Sequence, residues 1–125
     1  MSAARDAMME FIQPYFVSER EETDVLIALQ EALANAVLHG CRNDPSKTVF
    51  CRVEVDSGAY TITIRDPGPG FDVAAATHAT EAGANYTPHG RGIILMRSLM
   101  DDVVYRNGGA EVQLRKLRTE PSNAA

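Results

Sequence analysis

The chain has 125 residues, 45% hydrophobic and 23% charged, which is one domain's length and enough apolar content for a core without disulfide or metal staples. Its 12 basic residues against 17 acidic ones leave a net charge of -5, the wrong sign for gripping nucleic acid by counterion release and too modest, beside that apolar content, for a disordered acidic chain. No run approaches the roughly 20 apolar residues of a bilayer span, the start MSAARDAMMEF lacks a signal-peptide core, and two cysteines make no secreted framework, so a cytoplasmic protein with Cys41 and Cys51 as free thiols is expected.

From Ala4 to Phe16 the apolar positions Met8, Met9, Phe11, Ile12, Tyr15 and Phe16 keep helical spacing, and Pro14 should end or kink that helix. Ser18 and Glu21 stand at capping-box spacing before a second helix that should continue to Gly40, a natural C-terminal stop. From Thr48 the period changes to two. Val49, Cys51, Val53 and Val55 alternate with Phe50, Arg52 and Glu54, Asp56-Ser57-Gly58 marks a turn, and Tyr60, Ile62 and Ile64 alternate again, which predicts an antiparallel hairpin. Asp66-Pro67-Gly68-Pro69-Gly70 then stops any regular element. Residues 71–90, rich in Ala, Thr and Gly, read as a long connection of the length of a lid. A third helix is expected after Gly92, with Ile93, Met96 and Met100 on its apolar face, and Asn107-Gly108-Gly109 predicts a final hairpin between Val103–Arg106 and Ala110–Leu117. Together these elements make an α+β fold, a two-layer sandwich with helices on one face of a mixed, largely antiparallel sheet.

Three groups of residues could carry chemistry. On the second helix Glu31, Asn35 and His39 are each four residues apart and lie along one file. Val25, Leu26, Leu29, Leu33, Ala36 and Val37 form the core stripe opposite, while Ile27 and Leu38 border the polar file. A carboxylate one turn from an amide can divide labour, the amide oxygen suiting Mg²⁺ and the carboxylate taking a proton; the same file would also serve as a solvated face with a dipole-favoured histidine at its end. After the second strand, Asp66-Pro67-Gly68-Pro69-Gly70 aims one carboxylate from a stiffened loop. Such an acceptor suits the exocyclic amino group of adenine and repels the carbonyl oxygen of guanine, although a tight turn in which Asp66 accepts its own loop's N–H groups has the same composition. Third, His89-Gly90-Arg91-Gly92 leads into a helix, and backbone N–H groups at a helix start favour phosphate; an ordinary Gly-rich loop is the plainer reading.

In order, the helix with E-x-x-x-N, the strand ending in D-x-G-x-G, the lid-length loop and the G-x-G before a helix resemble the N, G1 and G2 boxes of the GHKL ATPase superfamily, with its Bergerat (histidine-kinase-like ATPase) fold. DPGPGFD and GRGIILMRSLMDDV are most similar to its anti-sigma-factor serine/threonine kinase branch, bacterial regulators of partner switching, and the likeness runs from Ala4 to Leu117. It implies a single ATP-binding domain over residues 1–118, followed by a disordered tail at 119–125. It further implies that Glu31 is the catalytic base, that Asn35 is the Mg²⁺ ligand, and that Asp66, Gly68 and Gly70 hold adenine. Gly90, Arg91 and Gly92 would meet the phosphates, and His39 stands at the helix end nearby.

The implied cofactors are ATP and Mg²⁺. The implied partners are an anti-anti-sigma (STAS-domain) protein, whose serine or threonine would be phosphorylated, and a sigma factor, with neither nucleic acid nor membrane bound directly. Two departures stand out. Relatives open with a strand that supports a homodimer, whereas here the helix-like segment starts almost at Met1, which counts against that dimer. Ala110 and Val112 occupy the final hairpin where relatives often place a threonine near adenine. A binding module in which ATP orders the lid for a regulatory partner is the alternative function. A sensor histidine kinase is disfavoured, because about twenty residues before the second helix cannot hold a phosphoacceptor hairpin.

Overall fold

The computed structural model describes residues 2–81 and 88–118. Four strands, β1 (Phe50–Val55), β2 (Ala59–Arg65), β3 (Asp102–Arg106) and β4 (Glu111–Leu117), form one sheet in the order β1-β2-β4-β3, with every pairing antiparallel. The helices α1 (Ser2–Ile12), α2 (Glu19–Asn35), α3 (Val73–Glu81) and α4 (Pro88–Leu99) complete the expected α+β sandwich.

Register turns the period-two pattern into a core. Cys51, Ile64, Val112 and Tyr105 form one cross-strand row, Val53, Ile62, Leu114 and Val103 the next, and Val55, Tyr60 and Lys116 the third. All point to one face, since alternate residues of a strand share a side. Val25, Ala28, Leu29, Ala32, Leu33 and Ala36 of α2 and its end are buried in the same cluster as Ile62, Ile64, Val112 and Leu114. Each of the Val, Leu and Ile side chains contributes about 1.5–3 kcal/mol by leaving water, the alanines less. Val37, expected in the core stripe, is exposed, and Leu38 is 49% exposed.

The third row ends the core with a polar clamp. Buried Tyr60 brings its hydroxyl within 2.7 Å of both the Tyr15 carbonyl and Glu21 Oε1, and burial, then Glu21, pushes its pKa up to about 12. Glu21 is the residue the capping-box spacing singled out. Its N–H donates to Ser18 Oγ and its carboxylate accepts the Val17 N–H, so one side chain starts α2 and ties it to β2. Lys116 Nζ donates to Asp24 Oδ2 at 3.1 Å and to the Leu99 carbonyl at 2.7 Å, which joins β4, α2 and the end of α4.

Three boundaries differ from the sequence expectation. The connection at 71–90 is not irregular throughout, because α3 occupies Val73–Glu81. Its start is capped by Asp72, whose Oδ1 accepts the Ala75 N–H at 2.9 Å, and three alanines, the best helix formers, follow. The third helix begins at Pro88 rather than after Gly92, since proline is pre-set for a first helical position; Gly90 and Gly92 therefore lie inside α4. Finally, Gly40 does not stop α2 by a left-handed turn. A π-helical turn spans Ala36–Gly40, and the left-handed residues come later, at Arg42 and Asn43. Residues 82–87 of the expected lid and the expected tail at 119–125 lie outside the described residues. Cys41 and Cys51 are free, as expected.

Candidate functional site

The site end of the sheet is where β2 runs out. The Asp66 N–H donates to the Ala110 carbonyl at 2.9 Å and the Phe71 N–H to the Gly108 carbonyl at 2.8 Å, so the Asp66–Phe71 loop is laid along the Asn107–Ala110 turn. Gly70 has a left-handed φ of 78° with the Gly108 carbonyl packed where a Cβ would go. The turn thus needs glycine for both reasons.

Above this turn opens a cleft. Its apolar wall is Ile64 and Val112 from the strands, Ala110 from the turn before β4, and Ala32 and Ala36 from α2 and its π turn. Phe71 and Tyr105 meet edge to face across one side, ring centroids 5.5 Å apart, and burial pushes the Tyr105 hydroxyl up to about 12. Asp66, Gly70, Asn35, His39 and Gly40 also line the cleft.

Asp66 Oδ1 accepts the Gly68 N–H at 2.8 Å, so the turn reading of this carboxylate is correct as far as it goes. A carboxylate has two acceptor oxygens, and holding one aims the other without using it. Burial raises the Asp66 pKa, and the Gly68 N–H opposes that rise without cancelling it. The same carboxylate, after burial, helps to raise the pKa of Cys41.

Past Asn35 the cleft continues into a second groove lined by Glu31, Asn35, His39, Arg91 and Gly92. Gly92 is buried against α2: a Cβ on it would lie 2.9 Å from Asn35 Nδ2 and 3.3 Å from Glu31 Oε2. Asn35 Nδ2 is itself buried without a hydrogen-bond partner, a costly state for an amide unless a ligand completes it. Arg91 is exposed on the groove's rim and Gly90 is buried in the first turn of α4.

The two expected constellations on α2 and after β2 are therefore brought to one continuous site, with Gly92 closing on Glu31 and Asn35. Sequence reasoning missed the apolar floor made by Ala32 and Ala36, the Phe71 and Tyr105 wall, and Gly40. Small residues at positions 32 and 36, beside the Asn35 file, were the one local signal. Ala110 and Val112 do line the cleft, where the resemblance placed a threonine.

An acid aimed into an apolar, glycine-turned cleft that opens onto a helix-borne carboxylate and amide defines a class of protein: a nucleotide-binding α+β sandwich. The family model for the histidine kinase-like ATPase domain matches residues 1–116, and the chain belongs to that family. It is similar to the anti-sigma F factor of Geobacillus thermodenitrificans, with 32% identity over 122 residues covering 92% of this chain and 82% of that protein. The anti-sigma F factor of Anoxybacillus flavithermus is 31% identical over 124 residues, 95% and 85% of the two chains, and that of Clostridium perfringens 30% over 120 residues, 90% and 84%. No helix among the described residues is long and apolar enough to cross a membrane.

Proposed function

We propose that the chain binds ATP with Mg²⁺, transfers the terminal phosphoryl group to a serine or threonine of an anti-anti-sigma (STAS-domain) partner, and holds a sigma factor in the cytoplasm when that partner is phosphorylated. The observation that carries this reading is the buried Asn35 Nδ2, a donor without a partner beside Glu31 at the junction of the base cleft and the outer groove, which a phosphate oxygen would complete. The relatives named anti-sigma F factor support the sigma-factor half.

Asp66 supplies the acceptor for the adenine amino group, with Gly68 fixing its direction and Gly70 shaping the turn beside it. Asn35 fits Mg²⁺ as a neutral oxygen ligand. Among the described residues no cluster of three or more His, Cys, Asp or Glu side chains could hold a metal, and Mg²⁺ in nucleotide sites needs only one or two protein ligands besides phosphates and waters. Bound there, the ion would neutralise charge on the phosphates. Glu31 takes the proton from the acceptor hydroxyl, and Arg91 meets phosphate charge at the outer groove. Alignment and electrostatics supply most of the rate.

Incubation with Mg·ATP and a STAS-domain partner tests this. Transfer by the wild type that is lost in Glu31→Gln is expected. Nucleotide and partner binding without any transfer in the wild type would replace the kinase with the ATP-gated binding module.

A further inference from the structure

We infer that Gly40 is the positioning residue for Asp66: the π turn at the end of α2 brings a bare backbone against the carboxylate and so sets the preference for a 6-amino purine. The inference rests on the reading of Asp66 as the base acceptor.

The π turn is closed by the Cys41 N–H on the Ala36 carbonyl at 2.8 Å, five residues back, and Asn43 N–H follows on Val37 at 2.9 Å. Such i→i−5 turns often mark functional sites, and this one ends with Gly40 against Asp66 at the end of β2. The nearest atoms to a Cβ on Gly40 all belong to the Asp66 side chain: Cγ, Oδ1 and Cβ. Gly68 packs from the other side, where a Cβ would come 2.5 Å from the Gly40 carbonyl oxygen and 2.9 Å from both Gly40 Cα and Asp66 Oδ1. Two backbones without side chains thus clamp one carboxylate.

Neither Gly40 nor Gly68 has the left-handed φ that Gly70, Gly108 and Gly109 have. Backbone conformation does not demand glycine at these two positions; room for the carboxylate does. An alanine at position 40 would meet Asp66 Cβ as well as its carboxylate, so the expected response is a displaced Asp66, its backbone shifting with its side chain. Because α2 also carries Glu31 and Asn35, the same helix end sets the spacing between base acceptor and phosphate residues.

The test compares affinity for ATP with that for purine riboside triphosphate, the same nucleotide without the 6-amino group, by titration of wild type, Gly40→Ala, Asp66→Asn and the double variant. Wild type should favour ATP by about tenfold, the value of one charge-assisted hydrogen bond. Gly40→Ala should lose that preference by weakening ATP alone, and should add nothing in the Asp66→Asn background. Should Gly40→Ala not fold, Asp66→Glu, whose carboxylate is carried one methylene beyond the two glycines, must lose the preference; a preference kept in Asp66→Glu overturns the inference. Equal weakening of both nucleotides, or an unchanged ratio, overturns the inference while leaving the Asp66 reading intact. A wild type indifferent to the amino group overturns the Asp66 reading, and the inference with it.

Discussion

The base end and the phosphate end of the site are built to different standards. At the base end every group has its support before a ligand arrives. Asp66 is held through Oδ1 by Gly68, its main chain continues the β2 ladder onto Ala110, and the walls belong to the buried sheet row of Ile64 and Val112. At the phosphate end Asn35 Nδ2 is buried and unpaired, and Gly92 presses on it from a helix that packs on α2 and α3. The first end is preorganised, so its interactions cost little reorganisation when used. The second is completed only by what binds, which is how a ligand obtains differential affinity for one arrangement of α4 over another. Changes at the base end should therefore appear in affinity, and changes at the phosphate end in rate and in the response to Mg²⁺.

The largest expected effect is at the phosphate end. Glu31→Gln should lower phosphoryl transfer by about 10²–10⁴-fold, the range for a positioned general base, while the dissociation constant for ATP stays within a few fold. Single-turnover transfer beside nucleotide titration checks this, and a matching loss of affinity would erase the distinction between the ends. Next comes the base end: Asp66→Asn should weaken ATP about 10- to 100-fold, as expected for a lost hydrogen bond to a charged acceptor. GTP should compete poorly against wild type, and competition titrations read both. Smaller, and opposite in its two readouts, is Asn35→Ala. Removing a buried amide that has no partner should leave ligand-free stability unchanged or slightly raised, whereas the part of ATP affinity that depends on Mg²⁺ should vanish. Thermal unfolding that drops by several degrees instead would mean that Asn35 is already satisfied in the ligand-free protein.

The difference between the ends also explains what could be read from residues alone. The hairpins were legible because alternation at Cys51, Val53, Val55 and at Tyr60, Ile62, Ile64 has one solution in a half-buried sheet, and Asn107-Gly108-Gly109 carries its own turn geometry. Glu31, Asn35 and Asp66 were legible because helical spacing and a strand end are local facts. The start of α3 was hidden because Asp72 and its alanines sit among Pro, Gly and Thr, which weigh toward a loop. Gly92 read as a helix start because glycine is a poor helix former; its place inside α4 is set by the approach of Glu31 and Asn35, which no local pattern announces. Gly40 reads as a helix stop for the same reason, and the helical turn does end there. Its neighbour Asp66 is far away in the chain, and only tertiary packing reveals why a side chain is missing there.

The smallest effect asks whether the preorganised base end is maintained at the expense of stability. Burial raises the Asp66 carboxyl above its ordinary value, against the weaker pull of the Gly68 N–H. A carboxyl whose folded-state pKa is raised favours folding when protonated. That contribution is complete below the ordinary unfolded value, about 3.9, and is lost as pH rises through the folded-state value. Without ligand, Asp66→Asn, which keeps an acceptor for Gly68, should therefore melt at or slightly above wild type at pH 7, and the gap should close on acidification as the wild-type carboxyl protonates. With ADP present the order should reverse, because the amino group of adenine favours the charged carboxylate over the amide. Melting curves at neutral and mildly acidic pH, with and without ADP, read all four values. An Asp66→Asn protein that melts below wild type at pH 7 without nucleotide would mean that the carboxylate stabilises the empty fold. The base end would then be part of the scaffold rather than a site held ready against its own cost.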